Sequence, residues 1–418
     1  MMTSVWLLGV VAMALFGAFV TRFAYVQRLE LPARVAIVFA CGLVTGGVVM
    51  SVESLVNIPW TRTTLFVPLL LAACLWRRGE RVPMRAWSWT LIAIAAMLTC
   101  YGSLTARQTT GDLLFFWGPK AAHFYNAERI DFAFLGMPHY FLMHSDYPPL
   151  LPLIYAFGSA AAHGMSLWGA ILFSSLCIIA AAVAFRGMAR NTIGESRAAA
   201  FASLLAAALA YGLATPNAAG GADALVYLFA IVAVSALTFG GEDRGALVIA
   251  SIALTGLVLV KVEGLPFAIV ILAAYLVSQR AAKRTVAMAV LPLIAIAVWI
   301  AAVYHRVIAD AYTVGRKPFH PERALDVVRW AAARASYRAA WLPWIAAAVP
   351  FAFARNLRRA VFPLLVAGGT TAATHFFYLQ GEESPQWWIE SSVERVLLTS
   401  VAVLIVAAAA SSADQSMC

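Results

Sequence analysis

Charged residues are scarce in this sequence, 12% of 418 against 62% hydrophobic. That excludes an ordinary soluble domain, in which roughly a quarter of the residues are charged. Lysine is scarcer still: 4 of the 30 basic residues, the other 26 being arginine. Together with abundant alanine, this bias fits a bacterial chain. The five cysteines (Cys41, Cys74, Cys100, Cys177 and Cys418) show no CxxC spacing, so neither a zinc ribbon nor a disulfide framework is expected. There is no GxxxxGK[ST] or GxGxxG run, and hence no nucleotide-binding loop. The net charge of +10 is dispersed over short loops, so nucleic acid is not an expected partner.

What the chain has in quantity is apolar runs, about 13 of them from end to end, each near the length that crosses a ~30 Å hydrocarbon layer. Only helices satisfy their own backbone there without closing a barrel, so the expectation is an all-α polytopic membrane protein with about 13 transmembrane helices. The first run, "SVWLLGVVAMALFGAFV", has no basic residue before it and Arg22 after it. That is the reverse of a signal peptide, and it reads as a retained span. One integral membrane domain is expected, in three stretches: N-terminal transmembrane helices over 1–104, a first large outward loop over 105–165, and a transmembrane core with outward loops over 166–418.

The positive-inside rule sorts the loops. The segments "TRFAYVQRLELPAR", "RRGERVPMR", "RGMARNTIGESR", "GGEDR", "SQRAAKR", "RNLRR" and the C-terminal tail fall in the cytoplasm, with 17 basic and 6 acidic residues; 13 and 14 remain outside. This alternation requires residues 148–163 to return to the side they left, as a re-entrant or surface-lying hairpin. Prolines 148, 149 and 152 suit that, because each removes a backbone donor. His144 and Asp146 in "HSDYPPLLPL" then face outward, as do outward-facing juxtamembrane helices on either side of the core.

The unusual polar residues gather on the outward face. In "GDLLFFWGPKAA", Asp112 and Lys120 flank an aromatic run with Trp117 at an interfacial position; a solvated acid and a snorkelling lysine would look the same. In "VKVEGLP", Lys261 and Glu263 end one span and begin the next, either as a helix-ending pair or as the lining of a polar cavity. The loop 304–338 carries Arg306, Arg316, Lys317, Arg323, Arg329, Arg334 and Arg338. Its second half alternates apolar residues with arginines at helical spacing, as an interfacial helix would. Arginine's planar fork suits a phosphate or an anionic lipid headgroup. "PQWWIESSVERVLL" brings Trp387, Trp388, Glu394 and Arg395 to the start of the last span. His139, His144 and Asp146 would ligate a divalent metal only with a third partner that the spacing does not supply; solvated loop histidines are the other reading.

Taken together, D-x4-W-x2-K-A (Asp112, Trp117, Lys120, Ala121), "DYPPLLPL" (Asp146 to Leu153), "KVEG" (Lys261 to Gly264) and W-x6-R (Trp388 to Arg395) resemble bacterial membrane glycosyltransferases of the GT-C fold. These are relatives of the protein mannosyltransferases and the lipid A aminoarabinose transferases. The resemblance implies a polyprenyl-phosphate-linked sugar donor held between spans. It also implies an envelope glycan or lipid acceptor entering from the periplasmic side of a bacterial inner membrane, with membrane lipids around the whole. Asp112 matches the family's catalytic acid in the first large outward loop, and Asp223 in "AAGGADALVYLF" matches a second acid where one is present. Lys120, Lys261 and Arg395 match basic positions facing the donor phosphate, with Arg316 and Lys317 as further candidates. Asp146 joins the catalytic acids. Trp117, His144, Tyr147, Glu263 and Trp388 are expected around the acceptor cavity.

Two departures stand out: Asp112 is single where the family has an acidic doublet, and about four spans precede it where one is usual. A divalent cation is compatible with this set and not required by it. Two other classes fit a polytopic chain. A transporter or flippase predicts repeats and mid-span charges, and a non-catalytic envelope scaffold predicts polar clusters that tolerate substitution.

Overall fold

A computed structural model describes residues 1–80, 93–94, 96–102, 111–137, 145–215, 218–303, 318–336, 340–380 and 384–414. His139, His144, Arg316 and Lys317 lie outside them. Among the described residues the regular structure is helical, with one isolated β-bridge between Phe319 and Gln380. The N-terminal part contains α1 (Met2–Met13, continued by a 3₁₀ stretch Ala14–Arg22), α2 (Leu31–Leu55) and α3 (Arg62–Ala73). Two buried elements follow, α4 (Gly118–Ala127) and α5 (Leu150–Ala162). The core runs through α6 (Leu167–Ile193), α7 (Glu195–Leu213), α8 (Asp223–Phe239), α9 (Arg244–Val260), α10 (Gly264–Gln279) and α11 (Ala282–Val303). Last come α12 (Ala324–Ser336), α13 (Leu357–Phe377), α14 (Pro385–Val396) and α15 (Leu398–Ser411).

The chain is an all-α polytopic membrane protein. Among the described residues, seven helices are long and apolar enough to cross a bilayer: Met2–Arg22, Leu31–Leu55, Leu167–Ile193, Glu195–Leu213, Ala282–Val303, Leu357–Phe377 and Ile389–Ser411. Shorter apolar helices of 10–17 residues accompany them. Part of the difference from the 13 expected is one of length, while the span expected before residue 105 lies largely outside the described residues. Helices α8 and α9 have 17 residues each, or about 26 Å at 1.5 Å per residue, a little short of the hydrocarbon thickness. In α8 every residue from Asp223 to Leu237 is buried. It is wrapped by α6, α9 and α15 rather than by lipid, so its length need not match the bilayer.

The loops sort into two ends. At one, fully buried Arg186 of α6 pairs with Glu30 before α2 and with Glu195 of α7, and Arg190 reaches the same two acids at 3.4 and 3.3 Å. Arg28 meets Asp243 at 2.8 Å, Arg284 meets Glu242, and both Arg197 and Arg355 meet Asp414. These are the loops that charge counting grouped together. The other end gathers Asp112, the Lys261–Glu263 turn and Arg395. Helix α5 has 13 residues, about 20 Å, too short to span. Just before it the Asp146 carbonyl accepts the Trp299 indole N–H at 3.0 Å, near the end of α11. Just after it His163 meets Arg62, and Ser166 meets Thr3 at 3.0 Å. All three contacts are at this second end.

Candidate active site

At the second end, polar groups from four separate elements converge. Asp223 opens α8, where the partial positive charge of the helix N-terminus favours a carboxylate. Its Oδ2 accepts a hydrogen bond from an Arg395 Nη at 2.9 Å, and its Oδ1 lies 3.5 Å from Lys261 Nζ. Lys261 stands where α9 breaks into extended backbone before α10, and it also meets Glu263 Oε1 at 3.1 Å. Arg395, in the last turn of α14, uses the same nitrogen to reach Asp112 Oδ2 at 2.7 Å. Arg395 therefore bridges two carboxylates contributed from positions 283 and 172 residues away. Tyr227, one turn after Asp223, donates its hydroxyl proton to the Arg395 carbonyl and fixes the α14 backbone against α8.

The two acids are held differently. Asp223 is 6% exposed and braced by two cations, whereas Asp112 is 16% exposed and paired with Arg395 at the rim. Asp112 precedes a widened helical turn, Leu113–Trp117, in which the Gly118 N–H donates to the Leu113 carbonyl five residues back. In a regular α-helix, eight residues would leave Asp112 and Lys120 about 80° apart; the one-residue insertion of a π turn reduces this to about 20°. The turn thus brings both onto one face. A side chain at position 118 would start 2.6 Å from the Leu113 carbonyl oxygen, so glycine is needed there.

Leu113 in turn rests on Gly220, whose φ of +75° suits glycine. The Gly220 peptide is clamped at both ends: its N–H donates to Ser174 Oγ and its carbonyl accepts from the Tyr155 hydroxyl, each at 2.8 Å. One buried clamp therefore sets both the turn carrying Asp112 and the loop leading to Asp223.

The remaining expected residues spread around this cluster. Lys120 is buried, its Nζ 5.4 Å from the centre of the Trp117 ring, and Trp117 packs against Tyr147 with ring centres 6.0 Å apart. Asp146 anchors its loop to α11 through its carbonyl. Trp388 lies on α14, its side chain outside the described residues. The amphipathic pattern read in the loop 304–338 forms α12: Val327 is buried with Tyr378, Ile389 and Val393, and Arg334 pairs with Glu394 at 2.7 Å. Tyr227, Tyr155, Ser174, Gly118 and Gly220 were not singled out in the sequence. For Tyr227 a signal existed, its i+4 spacing from Asp223 on one helical face. Among the described residues no three His, Cys, Asp or Glu side chains form a metal-holding group.

An apolar cavity of about 500 Å³ lies between α2, α9 and α11 and runs along α9 from Val248 to Leu259. Its wall includes Leu259, two residues from Lys261, and Pro149 and Trp299 beside the Asp146 loop. The hydroxyls of Thr45, Ser51 and Thr255 in its wall donate to carbonyls of their own helices, at 2.9, 2.8 and 2.8 Å. They leave the lining suited to hydrocarbon.

No curated protein and no solved structure matches the chain. A family model does match, over a segment that takes in Asp146, Tyr147, Asp223, Lys261 and Glu263 and leaves Asp112, Lys120 and Arg395 to either side. Residues 146–306 match the model of the dolichyl-phosphate-mannose-protein mannosyltransferase family, a GT-C superfamily domain, and this supports a membrane glycosyltransferase of that type.

Proposed function

We propose that the protein transfers a sugar from a polyprenyl-phosphate donor to an envelope glycan or lipid acceptor, at the periplasmic face of a bacterial inner membrane. The observation that carries the reading is the bridge made by Arg395 between Asp112 and Asp223, with Lys261 alongside. It unites acids and cations from distant elements at one end of the bundle. Acids and cations drawn together from four distant elements, with one carboxylate partly exposed, suit a site that exchanges its internal pairing for a charged ligand.

In the reaction, Asp112 takes the proton of the acceptor hydroxyl as its oxygen attacks the anomeric carbon. The bond from that carbon to the phosphate oxygen breaks, and the phosphate departs with the electron pair. Direct displacement inverts the anomeric configuration. Lys261, Arg395 and Lys120 stabilise the departing phosphate in a site from which the bilayer excludes water. Asp223, braced by two cations, is a positioning residue that orients Arg395 and Lys261. Asp112 is the better base because a single pairing holds it and it lies nearer the rim. The donor phosphate competes with the carboxylates for Arg395, so its arrival frees Asp112 for the acceptor. The isoprenoid chain lies in the apolar cavity below Lys261. Asp146, Tyr147, Trp117 and Glu263 border the acceptor. The cations already supply positive charge at the leaving group, so no metal ion is assigned a step.

The test is sugar transfer by purified protein from a radiolabelled polyprenyl-phosphate sugar pool, comparing wild type with Asp112→Asn and Lys120→Ala. Transfer by the wild type that both substitutions abolish, with the fold intact, is the expected result. Equal transfer by all three, or no donor binding, would sink the reading.

A further inference from the structure

The arginine-rich end, opposite the candidate active site, holds a second cavity, of about 310 Å³. Its polar wall is the Arg28–Asp243 pair, and its apolar wall is Leu29, Met188 and Phe239. Asn191 adds an amide to the polar wall, and Gly240 and Tyr25 complete the lining, the Tyr25 hydroxyl buried and without a hydrogen-bond partner among the described residues.

The pair differs in kind from its neighbours. Arg186 and Glu30 are almost wholly buried, whereas the Arg28 and Asp243 side chains are 55% and 27% exposed. Water-exposed pairs contribute little and exchange readily. Asp243 nevertheless has a fixed orientation, because its other oxygen accepts the Gly245 N–H at 2.8 Å and caps α9. The cavity therefore presents one guanidinium and one carboxylate side by side over an apolar floor, at the end of the bundle where the arginines gather.

We infer that this cavity binds the phosphoethanolamine group of a membrane phospholipid, phosphate on Arg28 and ammonium on Asp243. The ligand substitutes both halves of an ion pair with its own opposite charges, so neither protein charge is left unpaired. The apolar wall takes the start of the acyl chains. An anionic headgroup would leave Asp243 facing like charge, and a quaternary ammonium would offer it no N–H donor. The guanidinium fork matches phosphate oxygens. This inference does not depend on the transferase reading.

The experiment is native mass spectrometry of purified protein equilibrated with equal amounts of phosphatidylethanolamine, phosphatidylglycerol and phosphatidylcholine, for wild type, Arg28→Gln and Asp243→Asn. Asparagine also caps helices well, so Asp243→Asn keeps the start of α9. Wild type should retain phosphatidylethanolamine about tenfold over the other two. Asp243→Asn should lose the preference over phosphatidylcholine, and Arg28→Gln should lower retention of all three. A parallel arm adds free phosphoethanolamine. Displacement of the bound lipid identifies the lipid as the source, while binding of the free compound without lipid retention assigns the same pocket to a soluble one. Equal retention of the three lipids by wild type, or an unchanged preference in both variants, would overturn the inference.

Discussion

The two ends of the bundle each bury an ion network, and the networks differ in construction. At the arginine-rich end, two guanidiniums and two carboxylates, Arg186, Arg190, Glu30 and Glu195, interlock within 10 residues of helix and one loop, with Arg186 and Glu30 sealed from solvent. At the other end, Asp112, Asp223, Glu263, Lys261 and Arg395 come from four separate elements, and the outermost acids keep 16% and 21% exposure. The first network fastens α2, α6 and α7 together. The second has a carboxylate at its rim and an apolar cavity beside it, an arrangement that admits a ligand. Arg190 and Glu195 are 18% and 13% exposed, close to the outermost acids of the second network, so neither burial nor access of charge by itself marks a site here; the convergence of acids and cations from four distant elements does.

The sharpest way to break this comparison is to cut each network once. Arg186→Gln leaves Glu30 buried with only the longer contact to Arg190, and a loss of about 3 kcal/mol in stability is expected, read as a fall in the thermal midpoint, with transfer per folded molecule unchanged. A midpoint equal to wild type would mean that the network is not a fastening. Arg395→Gln should instead act on chemistry, lowering transfer by about 10²–10³-fold through loss of charge stabilisation at the leaving phosphate. A variant that loses only stability would make the two ends alike.

Gly118→Ala probes how Asp112 is aimed. The added carbon would crowd the Leu113 carbonyl and drive the wide turn towards regular helix, rotating Asp112 by about 100° relative to Lys120. A fall of about tenfold in kcat with unchanged helicity is expected, and full activity would remove the turn from the account.

The smallest effect concerns a region flanking the site. Asp131 caps the short helix Phe132–Leu135 and meets His123 at 2.9 Å. Burial raises its pKa, but the hydrogen bonds from His123 and the Phe134 N–H outweigh this and hold the carboxyl below its ordinary value. With the folded value below the unfolded one, the stabilisation is present above about pH 4 and is lost as pH falls through the lowered range. Asp131→Ala should cost about 1 kcal/mol near neutral pH and progressively less in acid, followed by hydrogen exchange of the Phe134 amide. A pH-independent difference would contradict the carboxylate's role.

Much of the candidate site was legible because polar residues stand out in a chain this apolar. Asp112, Asp223, Lys261, Glu263 and Arg395 each mark the end of a hydrophobic run, and the structure brings all five into one cluster. Their mutual pairing was not legible. The cations read as phosphate ligands are bound by the carboxylates read as catalytic, a contact across as many as 283 residues that no local pattern encodes. The wide turn at "LLFFW" was hidden too, since periodicity assumes one register and only Gly118 hints at another. Arg186 was counted as a cytoplasmic loop charge, because charge counting has no means of telling a solvated arginine from a buried one. The all-helical class followed from backbone hydrogen bonding alone. Helix lengths did not, because a helix surrounded by protein is free of the bilayer's thickness.

The central claim is that the Arg395-bridged cluster is a reaction centre with Asp112 as its base. The most direct measurement is a single-turnover experiment on Asp112→Asn with saturating donor, following donor binding and sugar transfer separately. The account predicts donor affinity within about threefold of wild type and transfer slowed by at least about 100-fold. Transfer at the wild-type rate, with donor bound normally, would contradict it.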